Sequence, residues 1–216
     1  MDWAIQLIQF ILHIDKHLAV FIANYGVWTY AALFLIVFCE TGLVVTPILP
    51  GDSLLFATGA LAAGTSLNIA IVVPLLICAA LLGDTVNYTV GRFLGPKLFC
   101  SDSSRLFNKQ YLAKTHAFYE KYGPKAIIIA RFVPIVRTFV PFVAGVANMG
   151  YRRFISYSIF AAILWVSVVT YAGFWFGGLD VVREHFSLAV MAVIFVSILP
   201  AIFEVTKPYL VKNKAT

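Results

Sequence analysis

Apolar residues run in long stretches separated by short polar breaks, a pattern that predicts membrane helices rather than strands. Residues 3–23 are apolar but interrupted by Gln6, Gln9, His13, Asp15, Lys16 and His17, so residues 1–25 read as an interfacial helix. Residues 27–45 carry one charge, Glu40, and are long enough for a span, because about 20 residues at 1.5 Å rise cover the hydrocarbon core. Pro47, Pro50 and Gly51 then break the helix, and 54–63 turns apolar again with Gly59 and Gly64 as weak points. Residues 27–64 therefore read as a span plus a re-entrant hairpin. Irregular backbone at membrane depth is tolerated only inside protein or beside a watery cavity, so the break implies a cavity. A full span follows at 68–91, where Gly83, Asn87 and Gly91 form a small and polar stripe suited to close helix contact. Residues 92–123 are a basic amphipathic segment. In 124–149, Phe132, Pro134, Arg137, Pro141 and Gly145 interrupt the apolar run and predict a second re-entrant hairpin. Spans at 154–176 and 186–204 precede a basic tail, 205–216, with Trp165, Tyr171 and Trp175 available for interfacial or packing roles.

Composition places this pattern in a bilayer. Of 216 residues, 61% are hydrophobic and 12% charged, with a mean hydropathy of +0.90; soluble domains carry about 25% charged residues. The expected fold is an all-α polytopic membrane protein, one helical bundle with two re-entrant hairpins in an inverted-repeat arrangement and no second domain. Arg92, Lys97, Arg105, Lys109, Lys114, Lys121 and Lys125 face only Asp102 and Glu120, so this segment is expected on the cytoplasmic side, with the tail bearing Lys207, Lys212 and Lys214. Without a nucleic-acid-binding module, anionic lipid headgroups are the expected partner of that charge. The amino terminus lacks the basic region of a cleavable signal and is expected to be retained. Cys39, Cys78 and Cys100 have no metal-ligand spacing and read as small core residues; His13, His17, His116 and His185 are scattered. No metal or cofactor is expected.

The charges inside the apolar stretches carry the chemistry. Between residues 27 and 91 only Glu40, Asp52 and Asp84 are charged, and between 126 and 151 only Arg131 and Arg137. Each costs about 2.5–3.5 kcal/mol at the centre of a spanning helix on insertion scales, so each needs compensation. Glu40, Asp52, Arg131 and Arg137 sum to zero: they either neutralise one another, in a purely structural set, or share an anionic substrate. Guanidinium binds phosphate through a planar fork, which makes Arg131 and Arg137 the expected anion ligands. They lie six residues apart, off one helical face, but a break at Pro134 lets both converge. Glu40 and Asp52 can exchange protons and the arginines cannot; exchange of arginine partners between carboxylate and an anionic substrate would couple movement of that anion to protons. Asp84, with Asn87 and Tyr88, is expected to hydrogen-bond between helices. Ser53 and Thr138 adjoin the key charges and either donate to phosphate or satisfy freed backbone groups; Arg92 is a further auxiliary candidate. The segments Pro50 to Gly59 and Pro134 to Gly145 each place a charge two or three residues after a proline and a glycine seven or eight later, the pointer to an inverted-repeat transporter. Neither a His-Glu-x-x-His cluster nor a nucleophile with a placed base is visible, so an enzyme is not expected.

Several of these segments resemble the bacterial DedA family: Phe38-Cys39-Glu40-Thr41-Gly42 through Pro47-Ile48-Leu49-Pro50-Gly51-Asp52-Ser53, Gly83-Asp84-Thr85-Val86-Asn87-Tyr88 with Gly91-Arg92, Phe118-Tyr119-Glu120-Lys121-Tyr122-Gly123, and Ala130-Arg131-Phe132-Val133-Pro134-Ile135-Val136-Arg137-Thr138 with Ala144-Gly145. The resemblance covers nearly the whole chain. It implies a VTT-type protein of the bacterial inner membrane that moves lipid between leaflets, with the family's acidic and arginine pairs at Glu40, Asp52, Arg131 and Arg137. The implied substrate is undecaprenyl phosphate, in a flippase coupled to protons through the proton motive force. A general phospholipid scramblase and a proton-coupled small-ion or drug transporter remain alternatives. A homodimer is compatible with the sequence, which marks no interface.

Overall fold

A computed structural model describes residues 26–43, 51–65, 67–99, 127–128, 131, 134–179, 182, 188–189, 191–193 and 195. Among them every regular element is helical: α1 (Val27–Gly42), α2 (Gly51–Ala62), α3 (Ile69–Phe99), α4 (Pro134–Val146) and α5 (Tyr151–Gly177). The expectations for 1–25, for the proline-rich break at 44–50, for 100–126 and for the tail lie outside the described residues, as does Cys100.

Helix boundaries differ from the sequence reading where tertiary contacts override local breakers. α3 does not stop at Gly91 but continues to Phe99, so the first residues of the basic segment extend the span. α4 begins at Pro134, whose fixed φ and missing N–H suit a first helical position, and runs on through Pro141 and Gly145. Its end is set by Asn148, at φ 53°, with Met149 N–H donating to Ala144 O at 3.1 Å and Asn148 N–H to Gly145 O at 3.0 Å, a left-handed cap that asparagine tolerates. At the start of α3, Asn68 Oδ1 accepts from Ala70 N–H at 2.9 Å and supplies the N-cap.

Two compact units are present. The first comprises the described residues of Met1–Phe34, Pro50–Leu76 and Val166–Thr216; the second, those of Leu35–Leu49 and Ile77–Trp165. In the first, α2 lies backbone to backbone on the end of α5. A methyl group on Gly59 would collide with Thr170 O and meet Phe174 N, and one on Gly173 would collide with Phe56 O. In the second, α4 lies on α3 in the same register: a methyl on Gly145 would collide with Tyr88 O and meet Arg92 N, and one on Gly91 would collide with Phe142 O. A glycine, a phenylalanine three residues before it, and a glycine three residues along the partner helix thus recur in both units. The second unit's core adds Tyr88, Ile127, Val140, Ala144 and Phe154, with Tyr88 and Phe154 stacked at 4.5 Å.

The long helices expose the wrong side chains for water. Residues Ile69–Leu94 and α5 are long and apolar enough to cross a membrane, yet only 39% and 33% of their most apolar windows are buried. On α5, Ile159, Phe160, Ile163 and Trp175 face outward while Ser158 and Thr170 are fully buried. Soluble helices bury the apolar face and expose the polar one; this inversion suits lipid outside and a polar interior. Cys78, expected in the core, is on the exposed side of α3, and Cys39 is half-buried; both are free thiols.

Candidate functional site

The second unit holds a charged cluster built from α1, α3, α4 and α5. α1 delivers Glu40 two residues before its end, and α4 delivers Arg137 in its first turn. Each charge opposes the dipole of its own helix end, and each compensates the other: Arg137 Nη2 donates to Glu40 Oε1, with side chains 8% and 2% exposed. Arg131 stands in the turn before α4, its N–H on Ile128 O at 3.3 Å. Its Nη1 donates to Asp84 Oδ2, and Ser158 Oγ, from α5, donates to the same oxygen.

The two guanidiniums meet at one indole. Arg131 Cζ lies 5.2 Å, and Arg137 Cζ 4.8 Å, from the ring centroid of Trp165. Both are within cation–π range of the most effective aromatic ring for the purpose, and Trp165 is itself 2% exposed. The convergence expected from the break at Pro134 is therefore present, with Trp165 as its floor. Around Arg131 the donor set is incomplete: Nε and Nη2 are buried without a hydrogen-bond partner among the described residues.

Asn87 ties the helix ends that carry these charges. Its Nδ2 donates to Thr41 O at 3.1 Å and Thr138 O at 2.7 Å, satisfying a carbonyl at the end of α1 that has no intrahelical partner. Gly83, one turn earlier on α3, abuts Phe38 and Thr41 of α1, and Gly91, one turn later, abuts Phe142 of α4. The small and polar stripe read from the sequence is thus the seam that brings Glu40 and Arg137 together. Tyr88 donates from its hydroxyl to Met149 O and receives a 3.5 Å contact from Arg92 Nη1. Arg92 is largely exposed and Thr138 buried.

Asp84 makes the interhelical hydrogen bond expected of it, accepting from Ser158 of α5, and is in addition the carboxylate on Arg131. Asp52 is half-buried in the first turn of α2, in the first unit, with Ser53 buried beside it. Ser158 and Trp165 were not singled out for this site. Their signal was present: seven residues apart on one helix, they share a face of an otherwise apolar span.

The VTT domain model matches residues 49–174. Protein DedA of Escherichia coli is 56% identical over 209 residues, covering 96% of this chain and 95% of that protein. An uncharacterised membrane protein of Mycobacterium tuberculosis is 42% identical over 193 residues, with 88% and 85% covered, and the inner membrane protein YqjA of Escherichia coli is 34% identical over 156 residues, with 72% and 71% covered. No solved structure matches. With the match spanning both glycine seams and every charged residue of the cluster except Glu40, and with relatives covering that residue's segment as well as the rest of the chain, the chain belongs to the DedA family of membrane proteins and carries its VTT domain.

Proposed function

We propose that this protein is a multi-pass transporter of the bacterial inner membrane that carries undecaprenyl phosphate between leaflets, without covalent chemistry and with proton coupling. One observation carries the reading: two buried guanidiniums share the face of Trp165, and one of them keeps two donors without a partner among the described residues. An anion of the phosphate class matches those donors, since oxyanions take parallel N–H bonds from an arginine fork. The family resemblance supplies the lipid. A polyprenyl phosphate presents one such headgroup on an oily chain, and the apolar outer faces of α3 and α5 suit that chain.

The architecture of this reading has two re-entrant hairpins, ending in α2 and α4, related as an inverted repeat. The recurrent register, Gly59 on Thr170 and Gly145 on Tyr88, supports it, as does the order of partners: α2 packs on a helix later in the chain and α4 on one earlier. Arg131 and Arg137 hold the phosphate; Glu40, released from Arg137 as phosphate arrives, and Asp52 carry protons. Asp52 has this role as a titratable carboxylate in an apolar stretch and from the resemblance.

The test is leaflet-to-leaflet movement of undecaprenyl phosphate in proteoliposomes, with phosphatidylethanolamine as comparator, at two imposed pH gradients. Selective movement by the wild type that falls at least about tenfold in Arg131→Ala and Arg137→Ala, the loss of about 1.4 kcal/mol or more of binding, is the expected result. Equal movement of both lipids would make the protein a general scramblase. Proton flux without lipid movement would make it an ion transporter.

A further inference from the structure

The ion pair on Arg131 is built differently from a pair made only to neutralise. A carboxylate that closes off an arginine does so fork to fork, two nitrogens on two oxygens. In this protein a single nitrogen, Nη1, meets a single oxygen, Asp84 Oδ2, and that oxygen also takes the Ser158 hydroxyl. Nε and Nη2 form the guanidinium's other side, two N–H groups pointing the same way, and both are buried without a partner among the described residues. Arg131 is 6% exposed and Asp84 2%. Buried charged donors left unmade are costly, so native structures rarely keep them without a ligand or a functional reason.

Three contacts fix where that edge looks. Asp84 holds one corner of the plane, Trp165 lies against its face at 5.2 Å, and Ser158 restrains the carboxylate that does the holding. We propose that Asp84 and Ser158 are positioning residues that grip Arg131 by Nη1 and thereby present its Nε–Nη2 edge to one oxyanion, a phosphate monoester headgroup. The inference rests on the anion-transport reading above and adds to it a division of labour. Arg131 offers an open, preoriented edge, and its acidic partner stays in place when the anion binds rather than being displaced by it. Preorientation contributes affinity by removing the ordering cost from the binding step.

The experiment is a double-mutant cycle on the full chain, reading the KM and maximal rate of undecaprenyl phosphate transport in proteoliposomes and the Kd of geranyl phosphate in detergent. Asp84→Asn is expected to raise KM and Kd about tenfold, and Ser158→Ala about threefold, with the maximal rate held within about twofold. In the Arg131→Lys background both substitutions should lose their effect, because an ammonium has no edge to aim. A merely structural role would lower the amount of folded protein without making the affinity loss depend on Arg131. Ser158→Ala removes one hydroxyl and serves where Asp84→Asn yields no folded protein. Equal affinity losses in both backgrounds, or none in either, would overturn the inference while leaving Arg131-dependent transport intact. Absence of any Arg131-dependent binding by the wild type would overturn the transport reading and this inference together.

Discussion

A buried charge is worth most to the protein when its partner is removed. Glu40 is 1% exposed and meets Arg137 deep in the second unit, so truncating it leaves a guanidinium that water cannot reach. Breaking such a pair costs about 3–5 kcal/mol, whereas replacing both members with apolar side chains of similar volume is close to neutral. Glu40→Ala should therefore unfold at markedly lower denaturant than wild type in mixed micelles, and the double variant Glu40→Leu with Arg137→Met should recover most of the loss while remaining inactive in lipid transport. A double variant as unstable as Glu40→Ala would mean that the charges hold more of the fold than each other. The arginines and Glu40 were legible in the sequence because a charge in an apolar run has no cheap place to go. Which carboxylate meets Arg131 was not legible. Asp84 lies 47 positions away, and its selection depends on the rotation of α3. That rotation is fixed by Gly83 and Gly91, whose contacts no local pattern specifies. Trp165 was hidden for a related reason, since a tryptophan in a span reads as packing until two cations are seen on its face.

Helices set this geometry through close backbone approach. α3 and α4 touch where Gly91 and Gly145 leave no room for a Cβ, and the same seam carries Asn87 with its two carbonyl acceptors. An added methyl group forces the helices apart, at about 1–3 kcal/mol by the usual penalty for overfilling a packed interior. Gly91→Ala and Gly145→Ala should each lower the unfolding midpoint and weaken transport, because parting α3 from α4 also moves Arg137. Gly150→Ala is the control: nothing lies within 4 Å of its Cβ position, and thermal unfolding should be unchanged. The sequence showed the stripe of Gly83, Asn87 and Gly91 but treated Pro134, Pro141 and Gly145 as breaks. At Pro134 the break is a helix start. Pro141 and Gly145 are carried inside α4, whose packing on α3 at Tyr88, Gly91 and Arg92 outweighs their weak helix propensity.

At the scale of the whole molecule, the composition declared a membrane protein, and the distribution of side chains over α3 and α5 says which faces lipid covers. Burial on these helices does not sort by hydrophobicity: Ser158, Thr170 and Asn87 are inside with Ala161, Ala162, Tyr88 and Trp165, while Phe160, Ile163, Leu82 and Phe93 are outside. Helices in lipid gain nothing from hiding leucine from tails that are just as apolar, so large apolar residues are free to stand outside while small and polar ones are enriched at the interfaces. Cys78 reports on that arrangement, because it stands on the outer side of α3 beside other exposed apolar positions. A nitroxide attached there, in a chain carrying Cys39→Ser and Cys100→Ser, should be relaxed strongly by oxygen and hardly at all by a water-soluble nickel chelate once the protein is in liposomes. A label at Gly150→Cys, in the exposed turn between α4 and α5, should show the opposite preference. Oxygen partitions into hydrocarbon and the chelate does not, so the two ratios measure depth directly. Equal access of nickel to both positions would place the outer face of α3 in water, and the inside-out pattern of α3 and α5 would then need a protein partner, not a bilayer, to cover it.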